Sequence, residues 1–111
     1  MSAARQPGKP ARQEFKVDGV NPPISRYTHA VRLGTSSTWD VLDVSGCGPS
    51  DAEMNLIGSD DVAAQTRQVL ANRRRILVAA GASFADILKV TPCLTDGSDC
   101  GKIEAIAGMP W

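Results

Sequence analysis

Few side chains in this sequence carry reactive chemistry, and their spacing limits what they can do together. His29 is the only histidine, and Cys47, Cys93 and Cys100 form no CxxC pair. A zinc centre needs about four His, Cys, Asp or Glu ligands with close pairs, so no metal site is expected. A thiol becomes a nucleophile beside an activating cation. None is evident near Cys47 or Cys93, and both read as small structural residues. Gly46-Cys47-Gly48 follows a strand-like run, as a dinucleotide-binding loop would. The third glycine of GxGxxG would fall at Asp51, an acid beside the expected pyrophosphate, and no long helix starts there. A dinucleotide site is therefore excluded, and no cofactor is expected. Arg73, Arg74 and Arg75 could touch nucleic acid, yet consecutive helix residues fan apart by about 100° each and make no flat patch. A solvated or intersubunit role is expected for them. Tyr27 and Glu104 lie in alternating segments, where the ordinary readings are a half-buried sheet residue and a solvent-side strand residue.

These residues must be positioned by a small framework. The chain has 111 residues, 42% of them hydrophobic, which fits one globular domain over residues 14–111 behind a mobile tail at 1–13. Twelve basic residues balance twelve acidic ones. Whole-chain charge thus gives no reason to expect nucleic acid or an anionic membrane as partner. No apolar run approaches the roughly 20 residues needed to cross a bilayer, and "MSAARQPGKPARQ" lacks a secretory core. An odd number of loosely spaced cysteines fits free thiols in a reducing compartment. A cytoplasmic protein without membrane partners is expected.

"EFKVDG", "YTHAVRLG" and "TWDVLDVSG" alternate apolar and polar residues between turn residues, which predicts three strands in an antiparallel sheet. "GCGPSDAEMNLIGSD" is a loop, because Gly58 would end any helix begun by the Ser50–Glu53 capping pair. Ser59 or Asp60 then caps a long helix. Val62, Thr66, Val69, Leu70, Ile76, Leu77 and Ala80 fall in one arc of its wheel, wide enough to lie on a sheet. Gly81 sits where a left-handed C-terminal cap belongs. "ADILKVTPCLTD" and "KIEAIAG" read as two further strands. The order β-β-β-α-β-β predicts an α+β fold with the helix on one sheet face. Two residues break local rules: Arg73 lies in the apolar arc, and Pro92 lies inside a strand.

Residues 61–96, "DVAAQTRQVLANRRRILVAAGASFADILKVTPCLTD", resemble the signature of the RidA family, also called YjgF/YER057c/UK114. "RYTHAVRLG" is similar to the family's "PYSQAV..G" strand, "LDVSGCG" to its "..SGQ.." strand end, and "KIEAIAG" to its closing "EIEAIA" strand. The similarity covers about residues 20–108. It implies a chorismate-mutase-like fold whose trimers close into a barrel of sheets with helices outside, holding small-molecule pockets in the clefts between subunits. A homotrimer is the assembly it implies. Well-known members hydrolyse enamines and imines such as 2-aminoacrylate to 2-keto acids and ammonia.

Residue by residue, the resemblance assigns Tyr27 to the pocket wall, Gly46 to a backbone that faces the ligand, and Glu104 to the attacking water. A phenol can hydrogen-bond a substrate, glycine permits close backbone approach, and a carboxylate can orient water or take its proton. The family's carboxylate-gripping arginine has no counterpart. The chain passes from Thr95-Asp96 through "GSDC" to "GKIEAIAG", without the second helix and the strand that carry it, and no arginine follows Arg75. This implies a truncated or diverged member, with Arg26 or Arg32 of a neighbouring subunit as stand-ins for the clamp. Three functions follow in order. The first is an enamine/imine deaminase using Glu104, Tyr27 and Gly46. The second is a non-catalytic module binding a metabolite or a protein. The third is an RNA-binding translation inhibitor or ribonuclease.

Overall fold

The computed structural model describes residues 12–34 and 40–108. Most of the expected tail, and the expected turn at 35–37, lie outside these residues. Strand β1 (Arg12–Phe15) pairs antiparallel with β2 (Ala30–Gly34), which pairs antiparallel with β3 (Asp40–Val44), giving a sheet of order β1-β2-β3. The first strand begins two residues earlier than its alternation suggests, so Arg12 and Gln13 belong to the sheet. Phe15 stands opposite Ala30, and Ala30 opposite Val44. That register turns Phe15, Ala30, Leu42 and Val44 to one side, where they meet Val20 and Ile76 in the core with Val17 and Cys47 around them.

Helix α1 (Val62–Ala79) covers that side. Its cap is Asp61, one residue later than expected, with the carboxylate accepting from the Ala64 N–H at 3.1 Å. Capping needs an extended residue whose side chain can reach back to the third helical N–H. Asp61 has that backbone, whereas Asp60 has φ 58. At the other end the Ala82 N–H reaches Leu77 O and the Gly81 N–H reaches Val78 O. This is a Schellman closure, and it needs the left-handed backbone that Gly81 adopts at φ 77. Of the expected apolar arc, Ile76, Leu77 and Ala80 are buried; Val62, Thr66, Val69 and Leu70 are half-buried. Arg73 is half-buried beside them.

Beyond α1 the two expected strands are absent. Residues 87–95 form no strand and pair with none among the described residues, and Leu88 is 94% exposed. Pro92 has no N–H for a ladder, and alternation alone supplies no partner. "KIEAIAG" does not form a strand either. Residues Cys100–Ala107 form helix α2, which packs on α1 and buries Ile106. Ile103 and Ile106 are three apart, a spacing that suits a helix face, and Glu, Ala and Ile tolerate a helix well. A second, short helix is therefore present, built from the segment expected to close the sheet. The architecture remains α+β, with a sheet and a long helix on one face.

Candidate functional site

The ladders on both sides of β2 continue past its named start. His29 N–H donates to Phe15 O, Ser45 N–H donates to His29 O at 3.0 Å, and the Ser45 hydroxyl donates to Thr28 O at 2.6 Å. The Thr28 hydroxyl in turn donates to Phe15 O. These bonds set residues 28 and 29 against 45, so Tyr27 and Gly46 come to the same end of the sheet. Tyr27 is 41% exposed, and its hydroxyl accepts from Ile24 N–H at 3.4 Å. A Cβ at Gly46 would meet nothing within 4 Å, so its backbone is open to an incoming group.

Glu104 is placed differently from the strand position expected for it. It is exposed on α2, and its carboxylate accepts from the Cys100 thiol one turn back at 3.7 Å. Among the described residues, no hydrogen bond or ion pair joins it to Tyr27 or Gly46. Two of the three expected site residues thus lie at one end of the sheet, and the third stands on the helix that packs against α1.

Asn72 holds the loop beyond Gly46. It is 1% exposed, and its amide donates to Gly48 O at 3.2 Å and Ser50 O at 2.8 Å while accepting from the Gln68 side chain at 3.0 Å. A buried amide with every bond made fixes a loop more firmly than surface contacts do. Asn72 lies within the "QTRQVL.N" motif, but helix periodicity gave it no role. The Asp51 carboxylate then braces the far side of the loop. It accepts from the backbone of Asn55 and Glu53 and from the Asn55 amide. Those bonds, the Asn55 N–H foremost, hold its carboxyl below the usual range.

His29 does not stand alone on a sheet face. It is buried, with Nδ1 accepting from Val17 N–H at 2.8 Å and Nε2 lying 2.9 Å from Asn21 O. These partners select the tautomer with its proton on Nε2. The ring ties the turn after β1 to β2. Cys47 packs beside the core, and burial pushes its thiol up against a smaller opposing pull from Arg73. It is a weak nucleophile. Among the described residues, no group of three or more His, Cys, Asp or Glu side chains is arranged to hold a metal.

Arg32 is already engaged within the chain. Its guanidinium donates to the Ala80 carbonyl at the end of α1 and to Gln13 Oε1, stands 5.0 Å from the Phe15 ring centre, and approaches Asp40 Oδ2 at 4.0 Å. It ties both neighbouring strands and the helix end to β2, so it is not available as a substitute clamp. Arg26 is exposed.

An α+β unit with a sheet edge held open beside a pinned loop describes a fold class. It is shared with a crystal structure of a Yersinia pestis protein of unknown function from the conserved Rid family. That structure superposes with a TM-score of 0.78 at 26% identity, over 86% of this chain and 72% of the other. A profile described as Endoribonuclease L-PSP matches residues 18–109. A RutC family protein of Pyrococcus horikoshii is 38% identical over 84 residues, 76% of this chain and 63% of its own length. The 3-aminoacrylate deaminase RutC of Acinetobacter baylyi is 32% identical over 80% of this chain and 67% of its own. The 2-iminobutanoate/2-iminopropanoate deaminase of Salmonella typhimurium is 34% identical over 74% and 59%. The chain belongs to this family, the RidA or YjgF/YER057c/UK114 family, and spans less than two thirds of the length of some relatives it matches. No helix among the described residues is long and apolar enough to cross a membrane.

Proposed function

We propose that this chain is a RidA-type enamine/imine deaminase that hydrolyses small 2-aminoacrylate-like intermediates to 2-keto acids and ammonia. The observation that carries the reading is the pairing of Tyr27 with Gly46 at one open end of the sheet, next to a loop that Asn72 locks. The names of the deaminase relatives point to the same substrate class. In this reading the Tyr27 phenol walls the cleft, the Gly46 backbone faces the substrate, and Glu104 directs water. The site is completed by sister copies in a homotrimer. Support for assembly comes from Leu88, Val90 and Leu94, which are exposed on one segment and leave apolar surface uncovered. Three free thiols suit a cytoplasmic setting.

A second reading has its own observation. Glu104 turns its carboxylate to Cys100 of its own helix, and no arginine lies between Arg75 and Glu104 to grip a substrate carboxylate. A non-catalytic module binding a metabolite on the same scaffold fits that arrangement. Ammonia release from freshly generated 2-aminoacrylate separates the two. The deaminase reading expects release above buffer that falls in both Tyr27→Ala and Glu104→Ala. Release no faster than buffer, from protein shown by light scattering to be trimeric, rejects it in favour of binding. Full release by Glu104→Ala removes Glu104 from the site.

A further inference from the structure

The arginine run of α1 finds a use that an isolated helix would not give it. Arg74 and Arg75, with Val78 and Ala79 one turn on, line one side of an open surface groove, and Lys16, Val17 and Asp18 line the other. Two adjacent helical arginines cannot share a flat surface. They can line one groove when a second segment stands opposite them, as the turn after β1 does here. Gly19 makes the approach possible. Its backbone is left-handed at φ 85, and any Cβ there would run into the Arg75 guanidinium.

Lys16, Arg74 and Arg75 make no ion pair or side-chain hydrogen bond among the described residues, and neither does Asp18. Three cations face one carboxylate in a chain whose whole charge is zero. Paired guanidiniums present forked N–H groups that match phosphate oxygens, and a lysine adds a point charge. Val17, Ala79 and the 65% exposed Val78 supply an apolar wall beside them.

We propose that this groove binds a small molecule carrying a phosphate group next to an apolar moiety. Arg74 and Arg75 take the phosphate oxygens from the helix side and Lys16 from the loop side. Val17 and Val78 pack the apolar part, and Asp18 offers an acceptor to a hydroxyl or ammonium of the same ligand. The site shares no residue with Tyr27, Gly46 or Glu104, so it stands or falls apart from the deaminase reading.

Nitrogen-15 NMR on the full chain, including the arginine Nε–H signals, tests this at constant ionic strength. The probes are inorganic phosphate, phenyl phosphate and a twelve-nucleotide oligouridylate, with chloride as control. The expected result is saturable shifts confined to Lys16, Arg74, Arg75 and their neighbours, with phenyl phosphate binding more tightly than inorganic phosphate. Arg75→Met weakens binding about tenfold or more. Lys16→Gln, on an exposed loop, also weakens it without altering the helix. Arg67→Met, elsewhere on α1, leaves it within about twofold, as expected for a distant independent site. Shifts of the same size with chloride overturn the proposal. So does an equal response to both phosphates, or binding seen only with oligouridylate to which Arg67 contributes as much as Arg75.

Discussion

Replacing Arg32 tests whether one guanidinium joins the sheet to the helix end. Its bond to the Ala80 carbonyl is charge-assisted and satisfies a group that the helix leaves open. Such bonds contribute about 1.5–3 kcal/mol. The Phe15 contact adds roughly 0.5–1 kcal/mol. The Asp40 pair sits at the limit of ion-pair distance with both side chains partly exposed, which leaves about 0.2–1 kcal/mol. One guanidinium makes all three contacts, so the contributions do not add in full, and about 2–3 kcal/mol is expected for the whole. Arg32→Met keeps the apolar stem and removes only the charged head. Urea unfolding should show that loss at unchanged slope, with a melting temperature lower by about 10–20 °C. Arg32→Lys, which returns a charge without the fork, should fall between the two. A methionine variant within about 0.5 kcal/mol of the parent would match an ordinary surface substitution and refute the reasoning.

Asn72→Leu removes two donated bonds from a buried site. It should cost about 2–3 kcal/mol and speed hydrogen exchange in residues 46–50, and an unchanged exchange pattern there would show that the loop is held by something else. Iodoacetamide at mildly alkaline pH should label Cys93 and Cys100, both exposed, well before Cys47. Arg73→Met should slow Cys47 further by removing the charge that opposes its burial, and early Cys47 labelling would contradict this. Asp51 has a folded pKa below its ordinary 3.8, so its stabilisation of the loop is present above that value and lost as pH falls through the lower folded one. Loop amide shifts followed by NMR should move in that acid window in the parent and stay still in Asp51→Asn.

The sequence discloses the first half of the molecule because its signals are local. Three alternating segments, a wide apolar arc and a glycine at position 81 each specify an element without reference to anything distant. The outcome at 87–95 depends on a neighbour. Alternation there is genuine, but a strand exists only where another backbone accepts its hydrogen bonds, and Pro92 weakens the offer. Residues 100–107 carry both periods at once, since Ile103, Ala105 and Ala107 alternate while Ile103 and Ile106 are a helical pair. The exposed apolar side of α1 decides between them. The resemblance names Tyr27 and Gly46, and the ladder between β2 and β3 sets both at one end of the sheet. The roles of His29, Asn72 and Arg32 depend on partners 8 to 48 positions away, which no periodicity encodes.

The outer side of β3 carries no strand among the described residues, and Asp40 and Asp43 lie along it. A naked row of amides and carbonyls is a template for stacking one molecule on the next, and two acids opposing their own images resist that stacking. The pair therefore acts as a gatekeeper. Asp43→Val would leave the protein's own packing almost untouched and yet turn a soluble preparation toward fibres.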